Sequence, residues 1–95
     1  MQNESPFDSA GMSDDCAEKI ANGHAFDEHA AELEVRTPEE LEALIRDTVR
    51  FGERQTLPRG RTAWWSDGVG VIRDPSRWDS GTVFKMTRQY FLDLD

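Results

Sequence analysis

Arg59-Gly-Arg-Thr-Ala-Trp-Trp-Ser-Asp-Gly-Val-Gly-Val-Ile-Arg-Asp-Pro75 reads as a β-hairpin. Arg61 to Trp65 form a first strand, Ser66 to Gly68 a turn, and Val69 to Arg73 the return strand, closed by Asp74-Pro75. Aromatic and β-branched residues suit a pleated surface, and Asp-Gly between two such runs is a strong hairpin signal. Two further runs follow: Gly81-Thr-Val-Phe-Lys-Met86 and, at the end of the chain, Tyr90-Phe-Leu-Asp-Leu94. Short connections make an antiparallel meander of about four strands the simplest arrangement.

Upstream of the hairpin the pattern is helical. Ser13-Asp-Asp-Cys16 has a cap residue followed by acids in the first turn. Cys16, Ala17 and Ile20 face inward, and Asn22-Gly23 interrupts the pattern. From His24 to Leu33 the residues Phe26, His29, Ala30 and Leu33 repeat at i, i+3, i+4, i+7, which places His29 on an apolar stripe and His24 at the helix start. Thr37-Pro-Glu-Glu40 is a complete helix entry with a cap, a first-position proline and a capping-box acid. Leu41, Leu44, Ile45, Thr48 and Val49 then keep one stripe until Gly52. Glu53 to Gly60 and Ser76 to Ser80 read as loops. The expected fold is therefore α+β, with helices over 13–51 packed on one face of a sheet over 60–95. Residues 1–12 are expected to be a disordered leader.

At 95 residues the chain holds one small domain with a thin core. A single cysteine, Cys16, makes no internal disulfide and implies no oxidising compartment. No apolar run approaches the roughly 18–20 residues of a membrane span, and the N-terminus lacks the basic and apolar regions of a signal peptide. The net charge of −8 argues against a generic nucleic-acid binder. That charge is unevenly divided. Residues 1–47 carry thirteen acidic and three basic side chains, a net of −10, whereas residues 48–95 carry six and eight, a net of +2. A mildly basic sheet beside an acidic helical half is compatible with a local phosphate site, and equally with two halves that attract each other.

Several chemistries find no support. His24 and His29 are five apart, which is not the spacing that puts two imidazoles on one side of a helix, and no second Cys or third His completes a zinc set. No glycine-rich phosphate loop and no G-x-S-x-G motif is present. One further chemistry to weigh is RNA cleavage without a metal, against the plainer reading of a histidine on an apolar helix face as a hydrogen-bonded core residue. Such cleavage needs a base for the ribose 2′-hydroxyl proton, an acid for the leaving oxygen, and cations or hydroxyls around the phosphorus. His24 or His29 supplies the first two. Arg61, Thr62, Thr82 and Lys85 lie on strands where they can face a phosphate, and Trp64, Trp65, Trp78 and Tyr90 can stack on unpaired bases. Adjacent tryptophans on a strand point to opposite faces, so one of Trp64 and Trp65 belongs to the core.

Six pieces in fixed order carry a resemblance. They are Ile20-Ala-Asn-Gly-His-Ala-Phe-Asp-Glu-His29, Val35-Arg-Thr-Pro-Glu-Glu-Leu41, Gly60-Arg-Thr-Ala-Trp-Trp65, Val71-Ile-Arg-Asp-Pro75, Gly81-Thr-Val-Phe84 and Tyr90-Phe-Leu-Asp-Leu94. Over about residues 18–94 the chain resembles the C-terminal toxin domains of bacterial polymorphic and contact-dependent toxin systems. These are small RNases of the barnase, EndoU, colicin and RelE type, with motifs such as GHAFDKH, GRTAYW, VVIRDP, GGTAFRP and YFDNL. The resemblance implies helices followed by a four-stranded antiparallel sheet and a metal-independent endonuclease acting on tRNA or another structured RNA. It also implies a cognate immunity protein or antitoxin as partner, no membrane association, and action in the bacterial cytoplasm. By position it makes His24 the general acid or base and puts Arg61, Thr62, Thr82 and Lys85 at the phosphate. Trp65, Arg73, Arg77 and Tyr90 are the expected substrate contacts. Glu28 stands in place of the family's lysine, Lys85 in place of an arginine, Ser80 in place of a glycine and Met86 in place of a proline. A carboxylate at position 28 repels phosphate if it faces the site, so the alternative is an inactive relative that binds a basic protein through its acidic helices.

Overall fold

Asp67 and Gly68 both adopt positive φ, 51° and 84°, and join two strands, β2 (Thr62–Ser66) and β3 (Val69–Arg73), in a two-residue turn. This is the backbone that a tight hairpin requires, and glycine at its second position carries no steric cost. The computed structural model describes residues 11–94. Ahead of the hairpin come α1 (Asp14–Ala21), α2 (His24–Leu33), α3 (Pro38–Phe51) and a short strand β1 (Glu53–Thr56). After it come β4 (Gly81–Lys85) and a short helix α4 (Arg88–Leu92). The sheet is an antiparallel meander in the order β1-β2-β3-β4, so the fold is α+β with three helices N-terminal to the sheet.

The helix boundaries follow their caps. Ser13 Oγ accepts the Cys16 N–H at 3.1 Å, and Thr37 Oγ1 accepts the Glu40 N–H at 3.1 Å. Glu40 in turn accepts the Arg36 N–H at 2.6 Å, one residue ahead of the cap, and so ties the chain entering α3 to its first turn. On the sheet, Trp64, Val71 and Val83 lie in one register row facing the helices. They pack with Ile20, Leu41, Ile45 and Val49 in the main core, where Trp64 is 1 % exposed.

Three expectations are corrected. Tyr90 to Leu94 is not a strand. Thr87 Oγ1 caps the segment by accepting the Tyr90 N–H at 3.0 Å, and Phe91 is buried on the sheet face away from the three helices. There it joins Leu57, Ala63 and Met86, with Trp65, Ile72, Phe84 and Leu94 around them, so both faces of the sheet are covered. The fourth strand is instead Glu53–Thr56, expected as loop, and the sheet begins before residue 60. This strand is polar throughout and sits at the sheet edge, where only backbone pairing to Thr62–Trp65 is required and charged side chains deter further association. Residues 1–10 of the expected leader lie outside the described residues, but Met12, also assigned to it, is 1 % exposed in the core.

The other edge, β4, is covered by α2. Glu32 Oε2 accepts the Lys85 N–H at 2.9 Å, and the His29 ring lies 5.5 Å from that of Phe84. This contact fixes α2 along the strand and brings its N-terminus to the end of the sheet where β4 starts. Among the described residues no helix is long and apolar enough to cross a membrane.

Candidate active site

The N-cap of α2 is Gly23, which has no side chain with which to cap. The helix is capped from a distance. Asp79, in the loop before β4, accepts the His24 N–H on Oδ2 at 3.1 Å, and the same oxygen pairs with His24 Nδ1. Only a glycine permits this approach. A Cβ at position 23 would stand 2.5 Å from Asp79 Cβ and 2.7 Å from Oδ2. Gly23, at the joint between α1 and α2, thus admits a carboxylate 55 residues away from His24 to a helix start, where the exposed N–H groups favour negative charge.

Asp79 is fully buried, while the His24 side chain is 22 % exposed. Burial pushes the Asp79 carboxyl up, but hydrogen bonds from the His24 ring and backbone and the attraction of the imidazole outweigh it and hold the group below its ordinary range. The carboxylate is therefore ionised at neutral pH and holds the ring through Nδ1. That fixes the tautomer and leaves Nε2 as the nitrogen not engaged by the carboxylate. The second carboxylate oxygen, Oδ1, has no hydrogen-bond partner among the described residues; Arg77 Nε stands 3.7 Å from it as an ion pair. A buried carboxylate held by a half-buried imidazole is a geometry for proton transfer.

The strand register places other residues expected to carry chemistry at this end of the sheet. Thr62 pairs with Arg73, and Arg73 with Gly81. Arg61 adjoins Thr62, and its Nε donates to the Pro58 carbonyl at 3.1 Å. Arg73 donates to the Gly60 carbonyl at 3.4 Å. Asp74 lies among these cations: the Ser76 hydroxyl and N–H bonds, and the charges of Arg61 and Arg77, hold its carboxyl low despite some desolvation. Thr82 is the second residue of β4, with its hydroxyl oxygen buried and without a partner among the described residues. It pairs with Ile72 and so projects to the face opposite the three helices.

Other expected residues are placed elsewhere. Lys85 closes β4 at its far end, four residues from Gly81 and so roughly 13 Å away. Trp65 lies on the α4 side of the sheet, where its Nε1 donates to the Met86 carbonyl at 2.6 Å. Tyr90, on α4, meets Phe84 edge-on at 6.0 Å. His29 is held by Glu32 through Nδ1 at 3.1 Å, and Glu28 lies on the exposed side of α2. A cleft of about 220 Å³ on the helix side, lined by Ser13, Asp15, Cys16, Arg73, Pro75 and Ser80, contains the lone thiol. Burial pushes the Cys16 thiol up against the lowering effect of Arg73 and Ser80, so it stays protonated and is a poor nucleophile.

Asp79 escaped the reading of the sequence. Its one local signal was indirect: a helix entry at Gly23-His24 with no capping side chain of its own. Comparisons with protein-family models, with curated proteins and with solved structures returned no match.

Proposed function

We propose that this protein is a metal-independent RNA endonuclease in which His24 is the general base and acid and Asp79 its positioning residue. The observation that carries the reading is the buried Asp79 carboxylate on Nδ1 of a histidine whose ring reaches solvent. In the proposed reaction His24 Nε2 takes the proton of a ribose 2′-hydroxyl. The 2′ oxygen attacks phosphorus, the bond from phosphorus to the 5′ oxygen breaks, and the imidazolium returns a proton to that oxygen, directly or through water. The products are a 2′,3′-cyclic phosphate and a 5′-hydroxyl. The ionised carboxylate stabilises the imidazolium formed midway. Arg61, Arg73 and Arg77 supply positive charge at the same end of the sheet, where charge builds on the phosphoryl oxygens. The chemistry needs only side chains of this chain, and the resemblance to toxin-type RNases supports the choice of RNA, with tRNA as one substrate and an immunity protein or antitoxin as partner.

The test is incubation of the purified protein with total RNA in EDTA, alongside His24→Ala. Discrete fragments with cyclic phosphate ends from the wild type only are expected. RNA left intact over a wide protein range overturns the reading. One observation favours a non-catalytic protein-binding role instead. Phe51 is 74 % exposed beside an open groove with Leu44, Val69, Asp47 and Asp67, the composition that an apolar residue on a basic protein would fit. Intact RNA together with capture of a basic partner that is lost in Phe51→Ser would establish that alternative.

A further inference from the structure

Three tryptophans are present, and two are accounted for by packing: Trp64 is buried in the main core and Trp65 is tied to the Met86 carbonyl. Trp78 is not. It is 77 % exposed, between Arg77 and the Asp79 that holds His24. The loop that presents it is closed by its own backbone. Asp74 N–H donates to the Ser80 carbonyl at 2.7 Å, Arg77 N–H to the Asp74 carbonyl at 3.1 Å, and Ser80 N–H to the Arg77 carbonyl at 3.2 Å. An indole left in water gives up the burial that the same residue obtains at positions 64 and 65. Here it is held out on a hydrogen-bonded turn, one residue from the carboxylate of the proton-transfer pair.

We infer that Trp78 is the platform on which an unpaired base of the substrate stacks, with Arg77 beside it for the adjoining phosphate, so that the site takes single-stranded or looped RNA rather than duplex. The inference rests on the RNase reading and adds a substrate class to it. Stacking on an indole is tolerant of base identity, because every base has a π-face, and a base held in a duplex cannot offer that face to the protein. Positive charge at this end of a chain with net charge −8 is confined to a few arginines, so the aromatic face must supply a substantial part of the affinity.

The experiment uses a fluorescein-labelled oligonucleotide with 2′-O-methyl riboses, which lacks the hydroxyl needed for cleavage, as a single strand and annealed to its complement at low ionic strength. The wild type is expected to bind the single strand at least tenfold more tightly than the duplex, with quenching of the tryptophan emission. Trp78→Ala is expected to weaken single-strand binding roughly tenfold and to abolish most of the quenching, and Trp78→Phe to restore most of the affinity. Equal binding by wild type and Trp78→Ala, or equal binding of duplex and single strand, overturns the platform. Cleavage of unmodified RNA is read separately. Intact RNA with binding that depends on Trp78 leaves the platform standing and removes only the hydrolytic reading. Cleavage with kcat/KM unchanged in Trp78→Ala removes only the platform.

Discussion

Asp79 has two roles at once: it caps α2 and it fixes the His24 ring. Asp79→Asn preserves the shape and removes the charge. The amide can present its donor to Nδ1 and favour the wrong tautomer, so RNA cleavage is expected to fall by roughly 10²–10⁴-fold, measured as kcat/KM. Because the carboxylate is fully buried, the same change is expected to cost about 1–3 kcal/mol of stability in urea unfolding. The pH dependence follows from the lowered carboxyl. A group whose folded value lies below its unfolded value of about 3.9 contributes stability that is present above that value and lost as pH falls through the folded one. The wild type is therefore expected to lose stability below about pH 4, and Asp79→Asn to show a shallower slope there, read from urea midpoints between pH 3 and 6. Equal acid slopes would show that the pair contributes little to the native state. That His24 stands at a helix start was legible from the sequence, because the run to Leu33 has clear periodicity, but its choice over His29 came from the resemblance and not from the spacing. The partner of His24 was not legible, because nothing in Trp78-Asp79-Ser80 distinguishes a buried carboxylate from a solvated loop acid.

At the level of elements, the strongest local signals held and the weaker ones yielded to packing. The Thr37-Pro38 entry and the Asp67-Gly68 turn are satisfied within a few residues of themselves, so their outcome is local. Glu53–Thr56 has no apolar alternation and became a strand because β2 offered an unpaired edge. Tyr90-Phe-Leu has the composition of a strand and became a helix because Thr87 caps it and the α4 face of the sheet needed covering. If that cover matters, Phe91→Ala is expected to cost about 3–5 kcal/mol in urea unfolding, the range for truncating a buried phenylalanine. A loss below 1 kcal/mol would mean that α4 is an ornament. Gly23→Ala tests the other joint. The methyl group collides with Asp79, so a loss of about 1–3 kcal/mol is expected together with reduced cleavage, whereas Gly60→Ala, which meets no atom within 4 Å but strains a backbone at φ 73°, is expected to lower stability while sparing the His24–Asp79 contact.

For the molecule as a whole, the division of charge would set how RNA is approached under the proposed function. The net −8 repels a polyanion at long range, and the arginines at the His24 end of the sheet attract it locally. If Arg61, Arg73 and Arg77 each neutralise one phosphate, log K for a single strand against log salt has a slope of about −2, at roughly −0.7 per contact. A slope near −5 or steeper, measured by anisotropy, would require a larger basic surface than these three residues provide. The α+β class, the three helices, the central hairpin and the histidine at the start of α2 were determined by the sequence alone, because caps, turns and periodicity act over a few residues. The identity of the fourth strand, the helical end of the chain, the separation of Lys85 from His24 and the pairing of His24 with Asp79 were decided only by tertiary structure. Each depends on which surfaces and donors remain unsatisfied once the hairpin and helices have packed, and that demand comes from residues far away in the chain.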